Sequence, residues 1–487
     1  MELSLTFHGH GLLAAFMFLL INLSLASSSS SSPPQGKSLP YMTSDAEEVA
    51  GKSFDYIVVG GGTAGCALAA TLSERFTVLL VERVAQSFIS KDGVMNRRGR
   101  VLGGSSAINF GFYSRASERF VKKVGLDKEL VTEAYKWVES RIVFKPELTL
   151  WQTVAEFGLL EAGILPYNGF SFEHIEGTKV GATVFDECGI RHTSADLLEA
   201  GNPENITVLL NATVENVIFY NENRNKSRAR GIRFIKSNGS PDQTHEAYLN
   251  QPESDGCSSW GDVILSAGAL GSPQILLLSG IGPQQHLRNS SIPVVLDMEG
   301  VGQGMKDNPG IALLVDNKPQ KRLPDTPQVV GIADDFKIIV EAGIIPVSLN
   351  ATIMTVAAKV AFPESEGKLE LNSRDPRENP SVQFNYLAKE KDLEECVKLS
   401  QLLERVARSQ SIAMFVGTEH KNNLMSSEDE LRKSCKKNGL RVVDGSTFLE
   451  SPGTNPMATL LMLGRYQGIK ILQEREDAGA FGIQQNP

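Results

Sequence analysis

One glycine-rich turn constrains this chain more than any other stretch. Residues 55–59 (DYIVV) form a short β-branched run that stops at glycine, the mark of a buried strand. Gly60-x-Gly62-x-x-Gly65 follows, and residues 64–75 have helical spacing with Leu68 and Leu72 on one side. Residues 77–82 (TVLLVE) read as a second buried strand. Strand, glycine turn, helix and strand together open a doubly wound α/β domain. Gly60 permits the tight turn, Gly62 lets backbone approach a pyrophosphate, and Gly65 lets the helix pack close to the sheet. Phosphates would sit at the helix N-terminus, where free N–H groups and the helix dipole favour negative charge. Glu82 ends the second strand, 17 residues after Gly65. A carboxylate there accepts hydrogen bonds from a ribose diol and repels a 2′-phosphate, so the turn points to a dinucleotide other than NADP.

A chain of 487 residues exceeds one simple core, so two domains or one large composite domain are expected. Residues 120–190 carry helical patterns around Trp137 and Trp151. Residues 262–267 (DVILSA) read as a buried strand and 270–278 as a helix. Strands are expected at 368–371 and 382–386, a long helix at 389–408, a last buried strand at 440–444 and a last helix at 456–472. The net charge of −9 is spread along the chain, which excludes nucleic acid as the main partner. Residues 12–25 (LLAAFMFLLINLSL), followed by Ala26-Ser27, have the length of a signal-peptide core and are too short for a comfortable membrane span. The stretch before them carries His8 and His10 but no Lys or Arg. Residues 27–34 are a low-complexity spacer. Acceptor motifs for N-glycosylation begin at Asn205, Asn211, Asn225, Asn238, Asn289 and Asn350, with Asn211 a candidate for burial. Five cysteines allow one or two bridges in an oxidising compartment; Cys66 reads as a small packed residue, and Cys188 and Cys257 as free thiols.

Longer motifs name a family. Gly99-Arg-Val-Leu-Gly-Gly-Ser-Ser-Ala-Ile-Asn109 resembles the first signature of the glucose–methanol–choline (GMC) oxidoreductases, and Gly268-Ala-Leu-Gly-Ser-Pro-Gln-Ile-Leu-Leu-Leu-Ser-Gly-Ile-Gly282 resembles the second. Asp444-Gly-Ser and Ser451-Pro-Gly-Thr-Asn-Pro-Met457 resemble the family's C-terminal flavin segment. The likeness runs from about residue 53 to 475, and NGFSFEH, SAGALGSPQ and LMLGRYQGIKIL bring it nearest the plant mandelonitrile lyase-like and HOTHEAD-like branch. It implies a Rossmann-like FAD-binding domain interleaved with an α+β substrate domain on an antiparallel sheet. The flavin parts would be residues 53–118, 191–310 and 433–475. The substrate parts would be 119–190 and 311–432, after a signal (1–27) and linker (28–52) and before a tail (476–487).

The resemblance also assigns roles. Thr63, Ala64, Glu82 and Arg83, with the glycines of the turn, would contact the adenosine diphosphate half of FAD. Val101, Ser105, Asn109, Phe110, Gly111 and Phe112 would line the flavin, and Val214 would meet the adenine through its backbone. Asp444 and Gly445 would approach the ribityl and phosphate region, and Pro456 and Met457 would start the last helix beneath the ring. Cys396 and Cys435 resemble a bridged pair, and no metal is expected. The implied chemistry is oxidation of an alcohol with hydride transfer to FAD. Cyanohydrin cleavage by a flavin-containing lyase and a catalytically inactive FAD-binding form are the alternatives. The implied partner is a small-molecule alcohol or cyanohydrin, with no stable membrane span after signal cleavage.

Two departures stand out. The family's base is a histidine in a Trp-His-x-x-Gly-like segment, paired with a second His or Asn. Asn455 matches the second position, and the first has no counterpart, because Cys435-Lys-Lys-Asn438 runs straight into Gly439-Leu-Arg-Val-Val-Asp444. An amide takes up no proton near neutral pH, so Asn455 cannot serve as the base. The last histidine, His420, lies in a polar Glu-His-Lys stretch and reads as solvated. The family's long cofactor-covering loop after Glu82-Arg83 is also missing, since Val84-Ala-Gln-Ser-Phe88 follows directly. Phe110 stands where the family has Ala, so its ring would crowd the flavin or close the substrate face. Both gaps have clean edges, the pattern of a skipped coding segment.

Overall fold

The computed structural model describes residues 39–83, 86–93, 95–223, 226–239, 243–251, 261–315, 327–348, 351–417, 427–437, 440–442 and 454–483. The glycine turn lies at the carboxyl edge of a five-stranded parallel sheet. Its order is Met42–Thr43, Ile206–Leu209, Val78–Val81, Tyr56–Val59 and Asp262–Leu265. Alternation along these strands buries both faces. Tyr56, Val58, Val78 and Leu80 pack with Leu68 and Leu72 of the helix Gly65–Leu72. Ile57, Val59, Leu79 and Val81 pack with Val214, Ile232 and Phe234 of a four-stranded sheet behind. The last helix, Met457–Ile483, and the helix Lys128–Ile142 complete the first layer through Leu461, Met462, Tyr135 and Val138.

A second layer pair is built on a seven-stranded sheet. Its order is Leu440–Val442, Asn308–Val315, Ala351–Val360, Ile338–Ser348, Val329–Ala333, Gly177–Val180 and Tyr167–Phe170, antiparallel except for the last pair. Leu150–Glu161, Glu390–Ala407 and Gln410–Val416 cover one face. Val340, Ala342, Val356 and Ala358 point into that core with Trp151, Leu159, Leu399 and Leu403. The odd-numbered residues of the same strands face the other way. Cys396 and Cys435 are joined in a disulfide between Glu390–Ala407 and Glu428–Lys437.

Several expectations need correction. The edge strand Asp262–Leu265 is only half-buried, because one side of it has no neighbouring strand among the described residues. The helical reading of residues 120–190 ends at Glu161; from Tyr167 the β-branched and glycine-containing run joins the large sheet instead. The last helix continues past residue 472 to Ile483, and the helix after the glycine turn stops at Leu72. Asn211, Asn238 and Asn289 are exposed, and Asn211 has φ 57° in a left-handed turn. Asn205 is half-buried and its amide donates to Ser73 O at 2.9 Å. The signal segment, Asn225, Asn350, Cys257 and His420 lie outside the described residues. No described helix is long and apolar enough to cross a membrane.

The last helix reaches the turn only because it carries glycine at the crossing. A Cβ at Gly464 would stand 2.2 Å from Ala64 O, and one at Gly468 would stand 2.7 Å from Thr71 Cβ. Gly464→Val should therefore destabilise the protein by about 1–3 kcal/mol through overpacking, read as a lower urea midpoint, with FAD affinity falling alongside.

Candidate functional site

At the turn, four backbone segments meet at distances that exclude side chains. Gly60 has φ 109°, and a Cβ on it would lie 2.3 Å from Ser266 O. A Cβ on Gly65 would lie 2.0 Å from Gly60 O, and one on Gly104 2.5 Å from Gly62 Cα. The first GMC-like signature is thus folded onto the turn. Gly103 N donates to Gly61 O at 2.8 Å. Ser194 Oγ donates toward Gly62 O and Gly103 O, each at 3.1 Å, and Ser194 N donates to Ser106 Oγ at 3.0 Å. Val101 and Ser105 sit half-buried in this loop, and Val101 O accepts from Gly104 N.

The helix start is open to an anion. Ala64 occupies the N-cap without any side-chain cap. The N–H groups of Gly62, Thr63 and Ala64 make no hydrogen bond to a described residue. Orphan donors at a helix N-terminus are the usual cradle of a pyrophosphate. Glu82 lies beside them, buried at the end of its strand, and accepts from the N–H of Arg83 at 2.8 Å and from Gly61. Burial pushes its carboxyl up to about 7, against the lowering effect of those two amides. These features fit the adenosine diphosphate half of FAD: unpaired N–H groups for phosphate, and a desolvated carboxylate that a ribose diol would stabilise. Val214 is buried at the start of the neighbouring strand, next to a bulge. Arg83 is held elsewhere, donating to Pro376 O at 3.0 Å and Arg377 O at 3.3 Å. Burial lowers its guanidinium to about 10.

The expected flavin wall comes together only in part. Asn109 Nδ2 donates to Met457 Sδ at 3.0 Å, which joins the first signature to the start of the last helix. Asn109 Oδ1 accepts from Gly111 N at 2.9 Å and Arg191 Nη1 at 3.0 Å, and Asn109 O accepts from Arg191 Nη2 at 2.6 Å. The Phe110 ring is 58% exposed, so it crowds nothing among the described residues. The Phe112 ring is turned away into a core with Val330, Ile332 and Ile339. Pro456 is half-buried and Met457 is buried at the helix start. Asp444 and Gly445 lie outside the described residues, as do the residues on both sides of the Asn438/Gly439 junction and the first two after Arg83.

Beside Met457, Asn455 is held between two opposite charges of the large sheet. Its Nδ2 donates to Glu341 Oε1 at 2.7 Å, and its Oδ1 accepts from Lys359 Nζ. Lys359 Nζ and Glu341 Oε1 are 3.5 Å apart, with side chains 8% and 16% exposed. The register pairs Glu341 with Ala357 and Ile339 with Lys359, so the two charges are diagonal neighbours on the face opposite the helix-covered core. Close by, His174 is buried with Nε2 lacking a hydrogen-bond partner, and its ring lies 5.5 Å from that of Phe336. Burial, with Lys179 and Lys359 near, drives the imidazole down to about 3. Lys179 is fully buried, donates to Ser114 Oγ at 2.9 Å, and is lowered to about 7 by desolvation. Sequence reasoning missed Glu341, Lys359 and His174. For the first two a signal existed: each is a lone charge inside an apolar strand run (IIVEAGII and TVAAKVAF). Cys66 is buried, donates to Gly61 O at 3.2 Å and is pushed up to about 12 by burial, as befits a packed residue. No cluster of three or more His, Cys, Asp or Glu suited to a metal occurs among the described residues.

Comparisons with known proteins identify the family. Two family models, both described as GMC oxidoreductase, match residues 54–148 with 172–310, and residues 363–439. The chain belongs to the GMC oxidoreductase family, and its cofactor is FAD. Protein HOTHEAD of Arabidopsis thaliana is 38% identical, over 87% of this chain and 89% of that protein. The (R)-mandelonitrile lyase-like protein of the same plant is 40% identical, over 87% and 90%. Sinalpyl alcohol oxidase Nec3 of Nesocodon mauritianus is 37% identical, over 88% and 90%. The HOTHEAD alignment spans 538 positions against 487 residues here, so segments of that relative have no counterpart in this chain. Formate oxidase of Aspergillus oryzae shares the fold with a TM-score of 0.71 at 18% identity, over 88% of this chain and 100% of that one.

The Glu82 arrangement gives a pH signature. Its folded-state value of about 7 lies above the ordinary 4.5, so the ionised form costs stability that is fully felt above pH 7 and vanishes below pH 4.5. Glu82→Gln should raise the stability of the FAD-free protein by about 3–4 kcal/mol at pH 8, from ~1.4 kcal/mol per pK unit. The gain should disappear by pH 4.5. Hydrogen bonds from ribose hydroxyls would favour the ionised form, so wild-type FAD affinity should fall as pH drops below 7. Calorimetric titration from pH 8 to 5.5 should show that slope in the wild type and none in Glu82→Gln.

Proposed function

We propose that this chain is an FAD-dependent oxidoreductase of the secretory pathway that oxidises a CH–OH group of a small alcohol. The observation that carries the reading is the uncapped start of Gly65–Leu72 with its unpaired N–H groups beside buried Glu82, in a chain of the GMC family. Bound FAD supplies the hydride acceptor. The N–H groups of Gly62, Thr63 and Ala64 would hold the pyrophosphate, and Glu82 would hold the ribose diol. Val101, Ser105 and the Asn109–Phe112 backbone would line the ring, and N–H groups at the N-terminus of Met457–Ile483 would favour the negative charge of the reduced cofactor. Asp444 and Gly445 are assigned to the ribityl and phosphate side. Asn455 hydrogen-bonds at the substrate end and holds no proton. An apolar segment before residue 27, exposed acceptor asparagines and the disulfide support the secretory assignment.

A second reading is cyanohydrin cleavage without net oxidation. It is favoured by the relatives named mandelonitrile lyase, such as (R)-mandelonitrile lyase 2 of Prunus dulcis at 37% identity. The two readings differ in one experiment. The expressed full chain should show bound-flavin absorbance. Anaerobic addition of a panel of primary and benzylic alcohols should bleach it, and mandelonitrile should release no HCN. HCN release without bleaching would establish the lyase instead. A chain that carries no flavin would overturn both.

A further inference from the structure

We propose that Glu341 is the proton acceptor of this site, in place of the histidine that the sequence lacks; the inference rests on the alcohol-oxidation reading above. The position of the carboxylate is set by the sheet. Residue parity along Ile338–Ser348 turns Glu341 away from the helix-covered core and toward Asn455. Asn455 stands two residues before Met457, whose sulfur accepts from Asn109 of the proposed flavin wall. The carboxylate therefore lies at the junction of the large sheet, the last helix and the first signature.

The two oxygens of Glu341 are not equivalent. Oε1 accepts from Asn455 Nδ2 and faces Lys359 Nζ. Oε2 has no hydrogen bond from a described residue, and it is not among the sealed polar atoms of the structure. Asn455 and Lys359 thus fix the orientation of the group through one oxygen and leave the other to receive a proton. Lys359 also offsets the cost of holding a carboxylate with only 16% exposure. Asn455 is a positioning residue here: its amide reads Glu341 with the N–H end and Lys359 with the carbonyl end.

The other titratable groups around the cluster are poorer acceptors. His174 faces two lysines from a buried position that drives its imidazole to about 3, far below a working range. Lys359 is engaged with both Asn455 and Glu341, and Lys179 donates to Ser114, Ser171 O and Glu173 O. In the step assigned to Glu341, the substrate O–H bond breaks and its proton passes to Oε2. The carbinol C–H bond breaks with its electron pair leaving as hydride to the flavin, the oxidant, and the C=O bond forms. The carboxyl then returns its proton to solvent.

The test uses the FAD-loaded full chain with Glu341→Gln and Glu341→Asp. One readout is the anaerobic bleaching rate with the panel alcohol that bleaches the wild type fastest. The other is the affinity for sulfite, an anion that adds to oxidised flavins and involves no substrate proton. Glu341→Gln should slow bleaching by about 10²–10⁴-fold. It should also tighten sulfite binding roughly tenfold, because a fixed negative charge beside the ring is gone. Glu341→Asp should keep part of the rate and the wild-type sulfite affinity. Bleaching by Glu341→Gln at the wild-type rate overturns the inference. So does slow bleaching with unchanged sulfite affinity, which marks a structural role. Failure of the reading itself looks different: wild-type chain without flavin, or with flavin that no alcohol bleaches, overturns both together.

Discussion

Backbone-to-backbone contact at the glycine turn is the constraint on which the rest depends. Gly60 lies against Ser266, Gly65 against Gly60, Gly104 against Gly62 and Gly464 against Ala64, each too close for any Cβ. Four segments far apart in sequence are therefore locked to one point at the carboxyl edge of the parallel sheet. Because no side chain intervenes, the N–H groups of the turn stay available instead of being consumed by the protein. A single methyl group at any of these places would separate elements whose relative position defines both the phosphate cradle and the start of the last helix.

In the proposed arrangement, holding the cofactor and reacting with it fall to different parts of the molecule. The proposed adenosine end rests on the parallel sheet and on the contacts of Ser194, Ser266 and Gly464 with the turn. The proposed reactive end rests on the face of the seven-stranded sheet turned toward Asn455. There the shortened chain places two opposite charges and an amide in mutual contact, with a neutral imidazole near them. Buried charge is costly unless paired, so the pairing of Glu341 with Lys359 stabilises an arrangement that apolar side chains would fill more simply. Its contact with Asn455, two residues before the start of the last helix, is what makes it a candidate for chemistry.

Much of the fold was legible in the sequence, and the reasons are local. The strands around the glycine turn are continuous apolar runs because both of their faces are buried, and the helix at Glu390–Ala407 has a clear apolar stripe. Long motifs named the cofactor. The misreadings fell where tertiary contacts decide. Tyr167–Phe170 and Gly177–Val180 are strands because a sheet edge awaits them, and the strand at Asp262–Leu265 is half-exposed because no further strand follows it in the sheet among the described residues. The Glu341–Lys359 contact depends on antiparallel register between two strands, and a single sequence carries no register. Arg83 illustrates the same limit: its side chain donates to the backbone of a turn nearly 300 residues away, a contact the sequence alone does not show.

The disulfide gains a further meaning from where it sits. Cys435 is tied to Cys396 three residues before Asn438, and strand pairing of Leu440 with Gly310 resumes two residues after it. Both banks of the junction are thus moored to elements that do not belong to it. Loop-closure entropy changes only slowly with the length of chain between fixed ends. Length at this point is therefore nearly free to vary in architectural terms, and the fold behaves as a frame with a removable panel. A segment could be gained or lost here while Cys435 and Leu440 keep their partners.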